Sequence, residues 1–253
     1  MIRIDKAISS MGYGSRKDIK TVLKDKRVRV NGEFVTRPET KINETDKITI
    51  DDMEISYSRY TYLMMNKPEG VVSSTESNDV NVIDLIDQKV QGLFPCGRLD
   101  KDTTGLLLIT NDGPLAHQLL SPKRHVEKEY ALTLKHAVTQ QDIAQITKGV
   151  TEGEDTFLPA VYTPTGENTG TIILHEGKFH EIKRIFLALD NEVVQLKRIR
   201  MKNLVLDESL EPGEYRPLTE EELTELKQML EQVRKHLFLH TAVRFQLPVL
   251  LMN

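Results

Sequence analysis

Two aspartates, Asp100 and Asp102, stand two positions apart in a short polar segment, residues 98–104. Carboxylates at this spacing support several kinds of chemistry. Together they could ligate Mg²⁺ or act as acid and base in a hydrolysis. One of them alone could be a nucleophile. Either could instead cap backbone N–H groups of a tight turn, which is a purely structural role. The spacing by itself leaves these interpretations open.

The elements around this segment predict that it is a loop at the mouth of a sheet. Pro95 and Gly97 mark a turn before it, and the apolar run 105–110 after it is typical of a buried strand. Loops held by a rigid strand often carry catalytic side chains. We therefore expect the two carboxylates to lie where a substrate could meet them.

The chain from residue 60 to residue 235 is predicted to form one α+β domain with a mainly antiparallel mixed sheet and flanking helices. Its strands and helices do not alternate in the regular way that a doubly wound parallel fold requires. The predicted strands are 63–68, 105–110, 130–134, 171–174 and 193–200. The predicted helices are 80–86, 115–120, 140–148, 180–189 and 219–235.

The chain before it, residues 1–58, is predicted to form a small α/β unit. Residues 3–11 carry apolar side chains at helical spacing, and Ser15 is a suitable N-cap for a second helix over 16–26. Alternating side chains and an Asn-Gly turn then predict short paired strands. These strands are 27–30, 33–35, 47–50 and 54–55.

Basic side chains are concentrated in two regions, although the net charge of the whole chain is −4. Residues 1–41 hold eleven Lys and Arg against five Asp and Glu, and residues 178–202 hold seven against three. Acidic side chains are concentrated in residues 207–231, nine against two. Basic surface is what a polyphosphate partner requires, so we predict RNA binding, with a merely solvated lysine-rich face as the alternative. The side chains expected to contact RNA in the first unit are Arg16, Lys17, Lys20 and Arg29.

The composition argues against several other protein classes. The first residues lack the apolar run of a signal peptide, and no stretch is long and apolar enough for a membrane span. Cys96 is the single cysteine, so it is expected to be a small buried residue of a cytoplasmic protein. The histidines are scattered and no glycine-rich phosphate loop is present, so we expect no metal site and no cofactor.

Longer strings of residues resemble two known families. The segments 3–7, 14–16 and 28–32 resemble an S4 RNA-binding domain. Residues 97–106, Gly-Arg-Leu-Asp-Lys-Asp-Thr-Thr-Gly-Leu, resemble the central motif of pseudouridine synthases of the RsuA/RluA group. The Thr-Thr-Gly form and the S4-like unit are most similar to the RsuA branch, which acts on small-subunit ribosomal RNA. Further motifs of the family are matched in the same order by residues 128–130, 176–184 and 212–218.

This resemblance implies an isomerase that breaks the N1–C1′ bond of a uridine and rejoins the uracil through C5, without a cofactor. It implies that Asp100 is the essential carboxylate, bonding to the sugar or the base or assisting glycal formation. Lys183 would keep that carboxylate ionised in a closed pocket, and Tyr130 would stack on the uracil. Arg98 would fill the gap left by the flipped uridine or hold its phosphate, with a structural ion pair as the alternative. Arg184 would bind RNA.

Two features depart from the family pattern. Glu181 stands where a glutamine is usual, and residues 236–253 form an apolar tail to which we assign no role. The predicted division is therefore an S4-like domain over 1–58, a synthase domain over 60–235, and this tail. The expected substrate is ribosomal RNA within a small-subunit assembly intermediate, bound by a monomer. The alternatives are a synthase for large-subunit ribosomal RNA, a non-catalytic RNA-binding protein, and a metal-dependent nuclease or nucleotidyl transferase that uses the two aspartates.

Overall fold

The computed structural model of the protein describes residues 1–55, 57–87, 90–121 and 124–228 of the 253-residue chain. Apolar side chains form three buried clusters in these ranges. One cluster draws on the chain up to Tyr57, and the other two draw on the chain from Tyr60 onward. The division of the chain at residues 58–60 stays a prediction, and the separation of these cores supports it.

In the first part of the chain, two helices pack on small antiparallel sheets. The helices are α1 (Ile4–Ser10) and α2 (Arg16–Lys24). The strands are β1 (Ile2–Arg3), β2 (Val28–Val30), β3 (Glu33–Phe34), β4 (Lys41–Ile42), β5 (Ile48–Ile50) and β6 (Met53–Ile55). The strand order is β3-β2-β5-β6, with β1 and β4 forming a separate pair.

Local residue chemistry explains where these elements begin and end. The side chain of Ser15 accepts a hydrogen bond from Asp18 N, and Asp18 accepts one from Ser15 N, so α2 begins with a capping box. Lys26 has a left-handed backbone, with φ of 55°, which stops the helix two residues before the predicted end. Asn31 and Gly32 both have positive φ, as the tight hairpin between β2 and β3 requires. The predicted capping residue and hairpin are confirmed.

The second part of the chain is built on one mixed sheet. Within the described residues nine strands form this sheet, in the order β13-β14-β10-β15-β9-β7-β17, with β8 and β16 paired at its side. Every pairing is antiparallel except that of β15 with β9. The predicted α+β class with a mainly antiparallel sheet is confirmed. The strands are β7 (Tyr62–Lys67), β8 (Phe94–Pro95), β9 (Thr104–Thr110), β10 (Lys128–Leu134), β13 (Val161–Pro164), β14 (Thr169–Leu174), β15 (Val193–Met201), β16 (Leu204–Val205) and β17 (Tyr215–Pro217), and a separate hairpin joins β11 (Thr151–Glu152) to β12 (Asp155–Thr156).

Helices cover the mixed sheet and bury its apolar side chains in two clusters. The helices are α3 (Gly113–Leu120), α4 (Gln140–Lys148) and α5 (Glu181–Leu187), and residues 220–228 are also helical. One cluster includes Ile146 of α4 and the predicted stripe Ile182, Ile185 and Phe186 of α5, and Leu189 packs against it. The other includes side chains of α3 and Leu226. None of the helices in the described ranges is long and apolar enough to span a membrane.

The helix predicted over 80–86 is wrong. This segment consists of turns, and Asn81 forms a parallel bridge with Val72. The side-chain oxygen of Asn81 accepts from Ile83 N, and the carboxylate of Asp84 accepts from Asn81 N. Such local side-chain bonds to the backbone compete with helix formation, and the apolar spacing did not reveal them. The remainder of the predicted helix 219–235 and the tail 236–253 lie outside the described residues.

Gly105 sits where β9 meets β15 in the one parallel pairing, opposite Arg198. Its φ is +97°, and a Cβ at this position would overlap the backbone carbonyl oxygen of Arg198. A residue with a side chain would therefore have to adopt a strained backbone and push the two strands apart. Only glycine allows the polar segment before β9 to enter the centre of the sheet at this distance.

We expect Gly105→Ala to lower the free energy of unfolding by roughly 3 kcal/mol or more, because strain and overpacking add. Urea unfolding followed by circular dichroism measures this loss. Gly113→Ala is the matched control, since a Cβ on Gly113 meets no atom within 4 Å, and its effect should stay within about 1 kcal/mol. Equal effects of the two substitutions would contradict the close approach of β9 and β15.

Candidate active site

A cavity of about 510 Å³ opens beside the predicted catalytic loop. Its walls are formed by residues 97–100 and 103, by residues 174–178 and 180–183, and by side chains of β10 and β15. We call the side chains of Lys128, Tyr130, Leu196 and Arg198 the cavity floor, since they come from the two central strands. Three of the predicted site residues from separate parts of the chain, Asp100, Tyr130 and Lys183, line this one cavity.

Lys67, the last residue of β7, holds the backbone of the loop in place. It is fully buried, and its Nζ donates to the carbonyl oxygens of Asp100 at 3.0 Å, Thr103 at 2.8 Å and Pro68 at 3.1 Å. Burial lowers the pKa of Lys67 to about 8, although the nearby carboxylates of Asp102 and Asp100 oppose this shift. A buried ammonium group with several carbonyl partners fixes the turn that presents Asp100.

Ser73 adds a second clamp on the same loop. Its Oγ accepts a hydrogen bond from Leu99 N at 3.1 Å and donates one to Leu99 O at 3.0 Å. The turn itself is closed by a bond from Thr103 N to Asp100 O at 3.1 Å. The position of Asp100 is therefore set by the buried groups of Ser73 and Lys67, which bind the loop before and after it.

Lys183 of α5 bridges both aspartates of the loop. Its Nζ lies 3.0 Å from Asp100 Oδ2 and 2.6 Å from Asp102 Oδ1. Burial opposes the charge on Lys183, but its hydrogen bonds to the two carboxylates hold its pKa above the ordinary value. Burial also opposes ionisation of Asp102, and the hydrogen bond from Lys183 nevertheless keeps the pKa of Asp102 below its ordinary value. The loop and α5 are thus joined by an ion pair at the edge of the cavity.

The two aspartates differ in their position relative to the cavity. Asp100 lines the cavity, and its side chain is 29% exposed; Asp102 does not line it, and its side chain is 62% exposed. His180 Nε2 lies 3.6 Å from the second oxygen of Asp100. The carboxylate of Asp102, outside the cavity, instead holds Lys183.

The remaining residues predicted near the site lie in different surroundings. Arg98 is exposed at the rim of the cavity, and among the described residues it makes no ion pair. Arg184 does not line the cavity. Its guanidinium lies 2.6 Å from Glu152 and 2.8 Å from Asp155, so its charge is already balanced within the protein. A structural ion pair was the alternative role considered for Arg98. Among the described residues Arg98 makes no such pair, whereas Arg184 makes two.

The basic residues predicted to bind RNA in the first unit lie on its surface. Lys17 and Lys20 are exposed on α2, and Arg16 is exposed beside them, although its Nη2 lies 3.3 Å from the buried carboxylate of Asp5. Arg29 is half-buried, with its guanidinium 4.2 Å from the ring centroid of Phe34. Lys17 and Lys20 therefore carry the more accessible charges of this set.

The structure also brings forward site residues that the sequence did not single out. Lys128 and Arg198 are cations of the cavity floor, and burial, followed by the charge of Arg198, lowers the pKa of Lys128. Glu181, already noted as a departure from the family, is buried in the cavity wall; burial, with the nearby carboxylate of Glu176, raises its pKa well above the ordinary value. The basic excess in residues 178–202 was the signal that could have drawn attention to Arg198.

At the rim, the exposed ring of Phe179 stacks on His180 with the ring centroids 3.7 Å apart.

Cys96 is buried, as predicted, and burial raises the pKa of its thiol to about 11. Within the described ranges, no group of three His, Cys, Asp or Glu side chains could hold a metal ion. The two aspartates that a metal-dependent reaction would have used are instead bound by Lys183.

Two family models match the chain. The model for RNA pseudouridylate synthases matches residues 61–188, and the model for the S4 domain matches residues 2–48. The first match includes the loop with Asp100, the strand with Tyr130 and the helix with Lys183.

Individual proteins match over most of the chain. The Bacillus subtilis protein YtzG, an uncharacterized RNA pseudouridine synthase, is 43% identical over 231 residues, which are 88% of this chain and 97% of that protein. Ribosomal small subunit pseudouridine synthase A of Vibrio cholerae is 39% identical over 229 residues, which are 89% of this chain and 99% of that protein. A crystal structure of a pseudouridylate synthase, 35% identical, has a TM-score of 0.64 and covers 89% of this chain and 100% of its own.

We expect Lys67→Met to lower the free energy of unfolding at pH 7 by about 3 kcal/mol, because several loop carbonyls lose their buried donor. The loss should grow between about pH 8 and pH 10.5. In that window the unfolded chain still binds the proton that folded Lys67, with its pKa of about 8, has released, so the parent gains stability as the pH rises. The measurement is the difference in urea unfolding free energy between parent and variant from pH 7 to pH 11.

Lys67→Arg is the companion variant, since it keeps hydrogen-bond donors but stays charged over the whole pH range. The difference in unfolding free energy between the parent and Lys67→Arg should therefore also grow from about pH 8 to pH 10.5. A difference that stays constant with pH in both variants would contradict the lowered pKa of Lys67.

Proposed function

The chain belongs to the RNA pseudouridylate synthase family and carries an S4 domain in its first part, and we propose that it acts on a uridine of small-subunit ribosomal RNA. As a member of this family it is an isomerase that converts uridine in RNA to pseudouridine. The observation that carries the choice of substrate is the similarity to the Vibrio cholerae enzyme, whose name specifies the small ribosomal subunit and which is matched over nearly its whole length. A large-subunit substrate is the competing proposal.

Asp100 is proposed to be the essential carboxylate of the reaction. Each route considered for it needs the carboxylate in its ionised form, whether it bonds to the sugar, bonds to the base or assists glycal formation. The ion pair with Lys183 at 3.0 Å supports this role, since a nearby cation favours the charged form of a partly buried carboxylate. Lys183 is accordingly proposed to hold Asp100 charged and oriented toward the cavity.

Tyr130 is proposed to stack on the target uracil and to receive the proton that leaves C5. Its side chain is almost fully buried and forms part of the cavity floor, on the strand next to that of Arg198. One side of the ring can pack against the core while the other contacts the base. This arrangement supports a role in holding the uracil near Asp100.

The rim of the cavity is proposed to hold the RNA around the flipped uridine. Extrusion of a base from its stack costs a few kcal/mol, and contacts that replace the lost stacking reduce this cost. Arg98 is exposed at the rim and suited to a phosphate, and the Phe179 ring, 74% exposed, is suited to a base. Arg184 stays a proposed RNA contact, but a phosphate would have to compete with Glu152 and Asp155 for its guanidinium.

The first unit is proposed to bind the same RNA through the exposed cations Arg16, Lys17 and Lys20 and the half-buried Arg29. An RNA substrate of the ribosome places the protein in ribosome biogenesis and in the cytoplasm. We propose that it acts as a monomer on an assembly intermediate of the small subunit, in which the target uridine is still accessible. The clustering of basic side chains in residues 1–41 supports the RNA contact.

Mapping of pseudouridines in ribosomal RNA tests the reaction and the substrate together. A strain that lacks the protein should lose a pseudouridine from small-subunit RNA, and the parent chain should restore it. Asp100→Asn should not restore it, because the variant has no carboxylate, and its single-turnover rate in vitro should fall by more than about 10⁴-fold. Its affinity for the RNA should stay within about threefold of the parent, since the cations that contact phosphates are unchanged in this variant.

Asp102→Asn is the matched control, and its rate should stay within about tenfold of the parent, since Asp102 lies outside the cavity. Parent-like activity of Asp100→Asn would refute the proposed role of Asp100. Loss of a pseudouridine from large-subunit RNA instead would overturn the proposed substrate and leave the family unchanged.

We expect the double variant Lys17→Gln, Lys20→Gln of the full chain to bind the target RNA about tenfold more weakly near 0.1 M salt. The slope of log affinity against log salt should become shallower by about 1 to 2, since fewer counterions are released. Filter binding over a salt series measures both quantities. The double variant Lys135→Gln, Lys148→Gln removes two exposed lysines far along the chain and serves as the control. The same loss in both double variants would argue against RNA binding by α2.

A further inference from the structure

Buried polar atoms without a hydrogen-bond partner are concentrated in the cavity. Within the part of the chain that the structure describes, five buried side-chain atoms lack a partner. Four of them belong to residues that line the cavity, namely Thr103 Oγ1, His175 Nδ1, Glu181 Oε1 and Arg198 Nη2. An unpaired buried polar group is costly, so such a cluster indicates a polar ligand that completes the missing bonds.

Arg198 is the donor of this set that carries a permanent positive charge. Its side chain is 2% exposed, and its Nε is bound to Leu106 O at 2.7 Å, which leaves Nη2 without a partner. The neighbouring strands place it opposite Tyr130 on one side and Gly105 on the other. One bond thus orients the guanidinium, and a second donor remains for whatever enters the cavity.

The charge of the cavity floor has no counterion of its own. Among the described residues, Arg198 makes no ion pair, and the Nζ of Lys128 donates to the carbonyl oxygens of Val126 and Glu176 rather than to a carboxylate. Glu181 of the cavity wall interacts electrostatically with Lys128, and burial raises the pKa of its carboxyl group to about 7, which reduces its negative charge. A floor of this kind favours a group that becomes negative during the reaction.

We propose that Arg198 is a further catalytic residue, which donates a hydrogen bond from Nη2 to a carbonyl oxygen of the target uracil and stabilises the negative charge of the base as its glycosidic bond breaks. The inference rests on the proposed function of the cavity. When N1–C1′ breaks, the electron pair of that bond stays with the uracil and spreads over N1 and the O2 and O4 carbonyls. The pair is returned when C5 bonds to C1′; the proton on C5 then leaves and N1 takes up a proton, so the isomerisation is balanced.

The depth of Arg198 favours the base over a phosphate as its partner. Phosphates of a bound RNA remain at the rim, because the backbone of the flipped nucleotide stays continuous with its neighbours. The base is the part that enters the cavity, where Tyr130 and Arg198 lie on adjacent strands. A guanidinium shielded from water interacts more strongly with the developing charge than an exposed one would.

The test measures single-turnover rates on target RNA in which the uridine is replaced by 2-thiouridine or by 4-thiouridine. Sulfur accepts hydrogen bonds more weakly than oxygen, so each replacement weakens a contact at one carbonyl. The rates are compared for the parent, for Arg198→Met and for the control Arg200→Met. Arg200 lies two residues further along β15 and is bound by Glu127 and Glu129.

For Arg198→Met we expect the rate on uridine to fall by about 100- to 1000-fold, as for loss of a charge-stabilising donor, with RNA affinity within about threefold of the parent. At the contacted carbonyl, the ratio of oxygen to sulfur rates should be about tenfold larger in the parent than in Arg198→Met. Arg200→Met should keep the parental ratios. If Arg198→Met has the same oxygen-to-sulfur rate ratio as the parent at O2, and also at O4, the proposal is overturned.

Arg198→Lys separates a structural role from the proposed one if Arg198→Met fails to fold. It keeps a buried cation but lacks the second nitrogen of the guanidinium, so the same comparison of oxygen and sulfur substrates applies to it. A folded Arg198→Lys with parental rates and ratios would overturn the proposal. The experiment uses whichever RNA the parent modifies, so failure of the proposed ribosomal substrate would appear in the parent and remain distinct from the outcome for Arg198.

Discussion

The buried ammonium group of Lys67 is the interaction on which the geometry of the cavity depends. It donates to the carbonyl oxygens of Asp100 and Thr103, groups that would otherwise be unpaired away from water at about 1–3 kcal/mol each. The backbone of Lys67 is also paired with Gly105 across β7 and β9. The loop is thus anchored to the centre of the sheet by a side chain beneath it and by a glycine at its end.

Charge is arranged unevenly around this anchored loop. At the edge of the cavity the ammonium group of Lys183 bridges the carboxylates of Asp100 and Asp102. On the cavity floor the ammonium group of Lys128 and the guanidinium of Arg198 donate to backbone carbonyl oxygens. A neutral uracil between these groups would meet a carboxylate near its sugar and positive charge around its carbonyls, an arrangement that suits cleavage of the bond between sugar and base.

Local sequence signals predicted most elements correctly where a short-range cause decided them. The capping box at Ser15 and the apolar stripe of α5 follow from spacing alone. The helix predicted over 80–86 was wrong because the side chains of Asn81 and Asp84 bind the backbone instead. Arg184 lies in a strongly matched motif, and yet its guanidinium is balanced by Glu152 and Asp155, partners about 30 positions away that no local pattern identifies.

The sequence by itself determined the family, the α+β class, and the candidate residues Asp100, Tyr130 and Lys183, because these depend on motif strings and on local periodicity. Only the tertiary structure decided which charges face the cavity. Lys67 and Arg198 are charged residues within strands, and a strand pattern does not distinguish a solvated charge from a buried one. Their roles depend on which carbonyls and side chains the folded sheet places beside them, and those partners are distant along the chain.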